Sequence, residues 1–145
     1  MIFVDVNTPM YSAGAQHPLK APSIRVLRLI QESPGVFVTS AEVFEEILHR
    51  YLAIRAWARG RPLFDRMARV MRGRIEPIYE RDVRDAARLA DDHPKVSARD
   101  LLHASVMNRL GVSRIVSTDT DFDVLPGIER LDPMTVDEWR DTVTA

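Results

Sequence analysis

Acidic side chains directly follow two of the short apolar segments in this chain. Asp5 comes after Ile2-Phe3-Val4, and Asp119 and Asp121 come shortly after Ile115-Val116. Carboxylates crowded into one place repel each other and lose solvation, which keeps some of them protonated at neutral pH unless a cation joins them. Oxygen ligands with neither cysteine nor clustered histidine favour Mg²⁺ or Mn²⁺ over Zn²⁺. These residues therefore suggest a metal site able to activate water against a phosphodiester.

Two further acids stand near the beginnings of helices that can face the same place. Glu46 lies about two turns into a segment of helical periodicity, and Asp100 lies in the first turn after Ser97. Both also have a purely structural interpretation, because Asp100 can complete a capping box with Ser97 and Glu46 can be a solvated helix residue. Asp119 and Asp121 can likewise be turn-forming residues. Asp5 differs, because an acid at the end of a buried strand is costly without a partner.

The charges are unevenly distributed, although the formal net charge is only −1. Residues 50–74 contain eight arginines and one aspartate, a net charge of +7, whereas residues 119–145 carry −6. Arginine binds phosphate in a planar, two-pronged geometry, and a basic block beside an acidic pocket is the electrostatic pattern of a metal-dependent nuclease. The excess of arginine over lysine, taken alone, is equally typical of codon bias in a GC-rich genome. We expect contacts to the phosphate backbone from Arg50, Arg55, Arg59 and Arg61.

The elements that must position these residues follow from the apolar patterning. Buried strands are predicted at 2–4, 36–39 and 115–116, with a further strand around 128–131 and an edge strand at 75–78. Helical segments separate the strands, so βαβ units with right-handed crossovers build a parallel sheet. We therefore predict an α/β fold, a three-layer α/β/α sandwich with a central, mainly parallel sheet. Ligands bind such sheets beyond the carboxyl ends of the strands, where the acids would meet.

Local signals predict where the first helices begin. A polar loop is expected from Asn7 to Pro22, with Ser23 as the N-cap of the helix that follows. Thr39-x-x-Glu42 can form a capping box for the next helix. Pro62 is expected to start the helix after that, because proline is favoured at the first helical position.

The composition is that of one soluble globular domain. The 145 residues (16.5 kDa) include 46% hydrophobic and 28% charged residues, which predicts a single domain over 1–145. No apolar run approaches the about 20 residues that span a bilayer, and no signal peptide is visible, so we expect a cytoplasmic protein without a membrane partner. The chain has no cysteine, which excludes disulfides and thiolate chemistry. His49 and His103 are interpreted as packing or surface residues.

Four segments follow one another along nearly the whole chain: MIFVDVN, VTSAEVFEEILHRY, SARDLLHASVMNRLG and IVSTDTDFDVLPGIERLDP. In this order they resemble the PIN-domain ribonucleases, particularly the VapC-type toxins of bacterial toxin–antitoxin pairs. One such segment would be a weak signal, whereas four in the family's order are specific.

The resemblance implies a role for each matching residue. The implied catalytic and metal-binding acids are Asp5, Glu46, Asp100 and Asp119, and the auxiliary residues are Asn7, Ser117 and Asp121. Glu46 fits the family's spacing from Ser40 better than Glu42 or Glu45 does. The chain departs from the pattern at Pro9, close after Asp5, and at Asp121, which has one residue fewer before it.

The resemblance also implies an activity and partners. It indicates an Mg²⁺- or Mn²⁺-dependent endoribonuclease, which acts on RNA such as tRNA or ribosomal RNA and often forms a homodimer. A small antitoxin protein would cover its acidic site. The alternative from another class is a non-catalytic RNA-binding module with the same fold. A phosphatase of the haloacid-dehalogenase kind is disfavoured, because its signature needs aspartate where Asn7 stands.

Overall fold

Five parallel strands form the central sheet of the protein. The computed structural model describes residues 1–143, in which the strands are β1 (Ile2–Val4), β2 (Phe37–Ser40), β3 (Ile75–Glu76), β4 (Arg114–Val116) and β5 (Glu129–Leu131). Their order across the sheet is β3-β2-β1-β4-β5, and every neighbouring pair is parallel. The five predicted strands are therefore present, and the one predicted at 75–78 is a two-residue edge strand.

Helices connect the strands. Over the described residues they are α1 (Asn7–Ala13), α2 (Lys20–Glu32), α3 (Ala41–Ala53), α4 (Trp57–Val70), α5 (Glu80–Asp92), α6 (Ala98–Leu110) and α7 (Val136–Trp139). Short 3₁₀ helices occupy Thr120–Val124, Pro133–Thr135 and Arg140–Thr142. None of the helices in residues 1–143 has both the length and the apolar character needed to cross a membrane.

Helices cover both faces of the sheet. Ile2, Phe3 and Val4 of β1 are each 0% exposed. Successive side chains of a strand point to opposite faces, so complete burial of three in a row requires packed helices on either side. The predicted α/β/α sandwich with its parallel sheet is confirmed.

The strand order changes direction at β1, which lies between β2 and β4. This is the topological switch point, where an open α/β sheet leaves a crevice at the carboxyl ends of its strands. The register pairs Val4 with Val116, so the next residues, Asp5 and Ser117, leave the sheet side by side. Residues more than a hundred positions apart are thus adjacent because of strand register alone.

The predicted polar loop from Asn7 to Pro22 is wrong, because two helices occupy most of it. α1 begins at Asn7 and α2 begins at Lys20, so that Pro9 and Pro22 each lie in a first helical turn. Proline costs nothing there, because the backbone N–H that it lacks has no helical partner in the first turn. Ser23 is likewise not an N-cap: it is buried within α2 and its N–H donates to the Leu19 carbonyl.

Two other helix starts also differ from the prediction. Thr39 forms no capping box, since its hydroxyl donates to the Val4 carbonyl at 2.9 Å and so joins β2 to β1, and Ser40 is the N-cap of α3. Pro62 does not start α4, which begins at Trp57. Pro62 lies on the exposed side of the helix, where water can satisfy the carbonyl that loses its helical donor.

α3 and α4 pack through a glycine. A Cβ added at Gly60 of α4 would lie 2.4 Å from Cγ of Tyr51 on α3, and 2.5 Å from its Cβ. These are the root atoms of the side chain, which cannot move aside without shifting the helix. The close approach of the two helices therefore requires glycine at this position.

We predict that Gly60→Ala lowers the free energy of unfolding by about 1–2 kcal/mol. The overlap with Tyr51 costs about 2–3 kcal/mol, the upper part of the usual range for overpacking, because the atoms that meet cannot move aside. This exceeds the about 1 kcal/mol that alanine gains over glycine within a helix. Urea unfolding followed by circular dichroism measures the difference. Gly35→Ala is the control, because nothing lies within 4 Å of a Cβ there and no loss is expected. In a Tyr51→Gly background, which removes both the Cβ and the Cγ, Gly60→Ala should become neutral or stabilising. An equal loss in both backgrounds would show that helix contact is not the cause.

Candidate active site

Asp5 is the buried acid at the centre of the switch point. It is 2% exposed, and its hydrogen-bond donors are Val6, Asn7 and Ser117, the residue directly after β4. Its Oδ2 accepts hydrogen bonds from the Ser117 hydroxyl at 2.6 Å and from the Asn7 amide at 3.2 Å, while its Oδ1 accepts from the Val6 N–H at 2.7 Å. These bonds fix the direction in which the carboxylate faces. Burial nonetheless raises the pKa of Asp5, although the nearby His103 and the Ser117 hydroxyl partly offset this.

Ser117 connects the end of β1 to the acids that follow β4. Its hydroxyl donates to Asp5 and accepts from the Asn7 amide at 3.2 Å and from the Asp119 N–H at 3.0 Å. Asn7 also accepts from the Thr118 N–H through its Oδ1, at 3.2 Å. The two predicted auxiliary residues, Asn7 and Ser117, thus form one hydrogen-bonded brace around Asp5.

Glu46 reaches this place from α3. Its Oε1 lies 2.8 Å from His103 Nε2, and the same nitrogen lies 3.5 Å from Asp5 Oδ1. The neighbouring acids of the helix, Glu42 and Glu45, instead pair with Arg99 at 3.3 and 3.1 Å. Among these three glutamates, the structure brings Glu46 to Asp5, as the spacing argument predicts.

His103 is the residue that the sequence interpretation missed. It is 0% exposed and lies between Asp5 and Glu46, so its assignment as a packing or surface residue was incomplete. Burial by itself lowers the pKa of His103, but the hydrogen bond with Glu46 and the negative charge of Asp5 outweigh it, so that the pKa is raised. A usable signal existed, because His103 follows Asp100 by three positions and therefore shares its helix face.

Asp100, Asp119 and Asp121 form a second acidic group next to the first. One carboxylate oxygen of each lies within 4.8 Å of the others. The Ser97 hydroxyl accepts from the Asp100 N–H at 3.2 Å, so the predicted cap at Ser97 forms, while the Asp100 carboxyl is directed to the acids. The Asp121 N–H donates to Asp119 Oδ1 at 2.9 Å and restrains that side chain.

The charge in this second group is unfavourable without a cation. Burial, a hydrogen bond with Asp119 and the negative charge of Asp5 raise the pKa of Asp100 to about 8. The influence of Asp5 on Asp100 also means that the two acidic groups share one electrostatic environment. All four predicted acids therefore lie together, and Asp121 lies with them; their roles as ligands stay predictions.

The four predicted phosphate-binding arginines lie in different surroundings. Arg50 and Arg59 line a groove that begins at Glu46. Arg55 follows α3 with a positive φ of 56° and is exposed. Arg61 is exposed and pairs with Asp65 of the same helix at 3.1 Å. Only the first two stand beside the acidic site, and the contacts of all four with RNA stay predictions.

Comparison with known proteins identifies the family. The model of the PIN domain family matches residues 2–128. The chain is 41% identical over 131 residues to ribonuclease VapC13 of Mycobacterium tuberculosis, an alignment that covers 90% of this chain and 99% of that protein.

Solved structures show the same fold. The sarcin–ricin-loop-cleaving toxin VapC20 of M. tuberculosis superimposes with a TM-score of 0.70 at 19% identity, covering 85% of this chain and 93% of that one. A toxin–antitoxin complex from Klebsiella pneumoniae gives a TM-score of 0.64 at 13% identity, with 92% and 98% covered. From the family match and the 41% identity, this chain belongs to the PIN-domain proteins and, within them, to the VapC ribonucleases.

Proposed function

We propose that this protein is a metal-dependent endoribonuclease that hydrolyses RNA phosphodiester bonds as the toxin of a type II toxin–antitoxin pair. The observation that carries the proposal is the meeting of Asp5, Glu46, Asp100 and Asp119 at the switch point of the sheet. Acids of four different elements converge there, although their mutual repulsion makes the arrangement costly for the metal-free fold. A reaction that depends on a bound cation would explain why the fold keeps these acids together despite their repulsion.

The donor set fits Mg²⁺ or Mn²⁺. Among the described residues, two groups have ligand atoms within 4.8 Å of one another. One consists of Asp5, Glu46 and His103, and the other of Asp100, Asp119 and Asp121. Opposite oxygens around an octahedral Mg²⁺ are about 4.2 Å apart, so these groups need little adjustment. The carboxylates would hold the ion, and its charge would offset the burial and the repulsion that raise the pKa of Asp5 and of Asp100.

The chain's own residues supply orientation and a proton acceptor. A bound divalent ion would lower the pKa of water and stabilise negative charge on the phosphate. Ser117 and Asn7 hold the Asp5 carboxylate in place. His103 holds Oε1 of Glu46, which leaves Oε2 as the atom able to accept a proton from the attacking water. Arg50 and Arg59 would hold the RNA backbone beside the acids.

The partners follow from the same proposal. A cognate antitoxin would block the acidic site until it is released, in line with the Klebsiella toxin–antitoxin complex that shares this fold. We further propose that the protein forms a homodimer. We also propose that it is located in the cytoplasm, where RNA substrates and the antitoxin are made.

We predict that Asp5→Asn lowers RNA cleavage at least about a hundredfold in Mn²⁺, because it removes a buried ligand charge with little change in shape. Mapping of cleavage sites on total RNA measures the loss. Asp85→Asn, an exposed acid of α5 paired with Arg88, is the matched control and should cleave like wild type. Undiminished cleavage by Asp5→Asn would falsify the assignment of this site, and failure of the wild type to cleave would favour a non-catalytic RNA-binding module.

We also predict that Asp100→Asn raises the free energy of unfolding of the metal-free protein above that of wild type, by an amount that increases with pH. The folded-state pKa of Asp100 is about 8 and its ordinary value is 3.8, so the folded state retains a proton that the unfolded chain has lost. Between these values wild-type stability falls with increasing pH, and asparagine avoids the loss. The difference should be near zero at pH 4 and reach about 1–3 kcal/mol at pH 8.

Thermal melts in EDTA at both pH values test this. Added Mn²⁺ should raise the wild-type midpoint at pH 8 and raise that of Asp100→Asn much less, because the variant lacks a ligand. Equal midpoints for the two proteins in EDTA at pH 8 would contradict the electrostatic argument.

A further inference from the structure

A long groove extends from the acidic site across the surface of α1, α3 and α4. Its volume is about 740 Å³, and it begins at Asn7 and Glu46. Its lining residues include two tyrosines, two histidines and two of its three arginines: Tyr11, His17, His49, Arg50, Tyr51 and Arg59. The acidic chemistry described above uses none of the aromatic rings.

We propose that this groove binds the single-stranded RNA next to the bond that is cleaved. A base stacks on the ring pair formed by Tyr11 and His17, and Arg50 and Arg59 hold the phosphates between that base and the acidic site. The inference rests on the proposed ribonuclease function and assigns the groove to it. Of the eight arginines in residues 50–74, it assigns phosphate binding to Arg50 and Arg59, and it adds base stacking on aromatic rings.

The ring pair is held in position before any ligand binds. The ring centroids of Tyr11 and His17 are 4.8 Å apart and the rings are tilted by 33°. The Leu19 N–H donates to His17 Nδ1 at 3.1 Å, and Lys20 Nζ donates to the Gly14 carbonyl at 2.7 Å, so the loop that carries His17 is restrained at both ends. Tyr11 is half-buried and His17 is exposed, which leaves ring surface free for stacking.

The charges of the groove fit a polyanion. Glu46, at the acidic end, is the single acid among its lining residues. Within residues 1–143, Arg50 and Arg59 form no ion pair, whereas the third lining arginine, Arg99, is already paired with Glu42 and Glu45. Two free guanidinium groups beside stacking rings suit phosphates alternating with bases. An acidic peptide would also be attracted by the arginines, but it would leave the ring pair without a specific partner.

Binding of a fluorescein-labelled, mixed-sequence 12-nucleotide RNA to the full chain in EDTA tests the proposal, because without metal the RNA stays intact. Tyr11→Leu should weaken binding on the order of tenfold, whereas Tyr11→Phe, which keeps the ring, should bind within about twofold of wild type. Arg59→Ala should lower the slope of log affinity against log salt by about 0.7, the value for one phosphate contact on a single strand. Arg88→Ala, an exposed arginine of α5 with the same charge change, should leave affinity and slope unchanged.

The outcomes separate the groove from the ribonuclease proposal. Wild type that cleaves RNA in Mn²⁺, together with Tyr11→Leu and Arg59→Ala variants that bind RNA as wild type does, overturns the groove and leaves the function standing. Wild type that binds RNA through Tyr11 and Arg59 but never cleaves it supports the groove and overturns the function. If Tyr11→Leu and Arg59→Ala lose affinity for a Glu/Leu-rich peptide but keep the RNA affinity of wild type, the groove binds a protein partner and the inference is overturned. Since Arg59 is exposed, its variant tests the groove even where Tyr11→Leu does not fold.

Discussion

The parallel register of β1 and β4 is the constraint on which the site depends. Pairing of Val4 with Val116 leaves Asp5 and Ser117 side by side as the two strands end, and one 2.6 Å hydrogen bond between them fixes the first carboxylate. A shift of one residue would turn the side chains that follow either strand to the opposite face. The register cannot slip, because Ile2, Phe3 and Val4 are all fully buried between the helical layers. The packing of these apolar side chains thus sets the positions of Asp5 and Ser117, although none of the apolar side chains forms a hydrogen bond with them.

His103 explains how the metal-free fold tolerates this geometry. An imidazole between Asp5 and Glu46, with its pKa raised by both, supplies positive charge where carboxylates would otherwise only repel. The positive charge of His103 also acts on Asp100, but burial, the hydrogen bond with Asp119 and the negative charge of Asp5 outweigh it and raise the pKa of Asp100 to about 8. Burial raises the pKa of Asp5 as well, so His103 offsets only part of the cost of bringing these acids together in either group. A divalent ion would offset the remaining cost in both groups.

The sequence predicted the strands and the four acids because those signals are local. A short run of buried apolar residues ending in a carboxylate, as at Val4-Asp5, predicts both a strand and a candidate site residue. His103 was missed because its partner Glu46 is 57 positions away, and helical periodicity does not reveal a contact between α6 and α3. α1 was missed for another reason: Pro9 and Gly14 signal a loop by type, whereas their positions in the first turn and directly after the last one permit a helix. The start of α4 was missed for a similar reason: Gly60 and Pro62 signal a break by type, whereas the packing of Gly60 against Tyr51 is a contact between helices that the local sequence does not reveal.

The missed helix is also the element that joins the acidic site to the groove. α1 begins with Asn7, whose amide binds Asp5 and Ser117, and one turn later it presents Tyr11. Residues four apart share a helix face, so a shift of Tyr11 caused by the proposed stacking of a base would be transmitted along one helical turn to the brace around Asp5. With a flexible loop in place of α1, the two sites would be independent. With a helix, the position of Tyr11 and the orientation of the Asp5 carboxylate are coupled. If the groove binds RNA as proposed, this coupling would favour cleavage of RNA that fills the groove over RNA that contacts the acids alone.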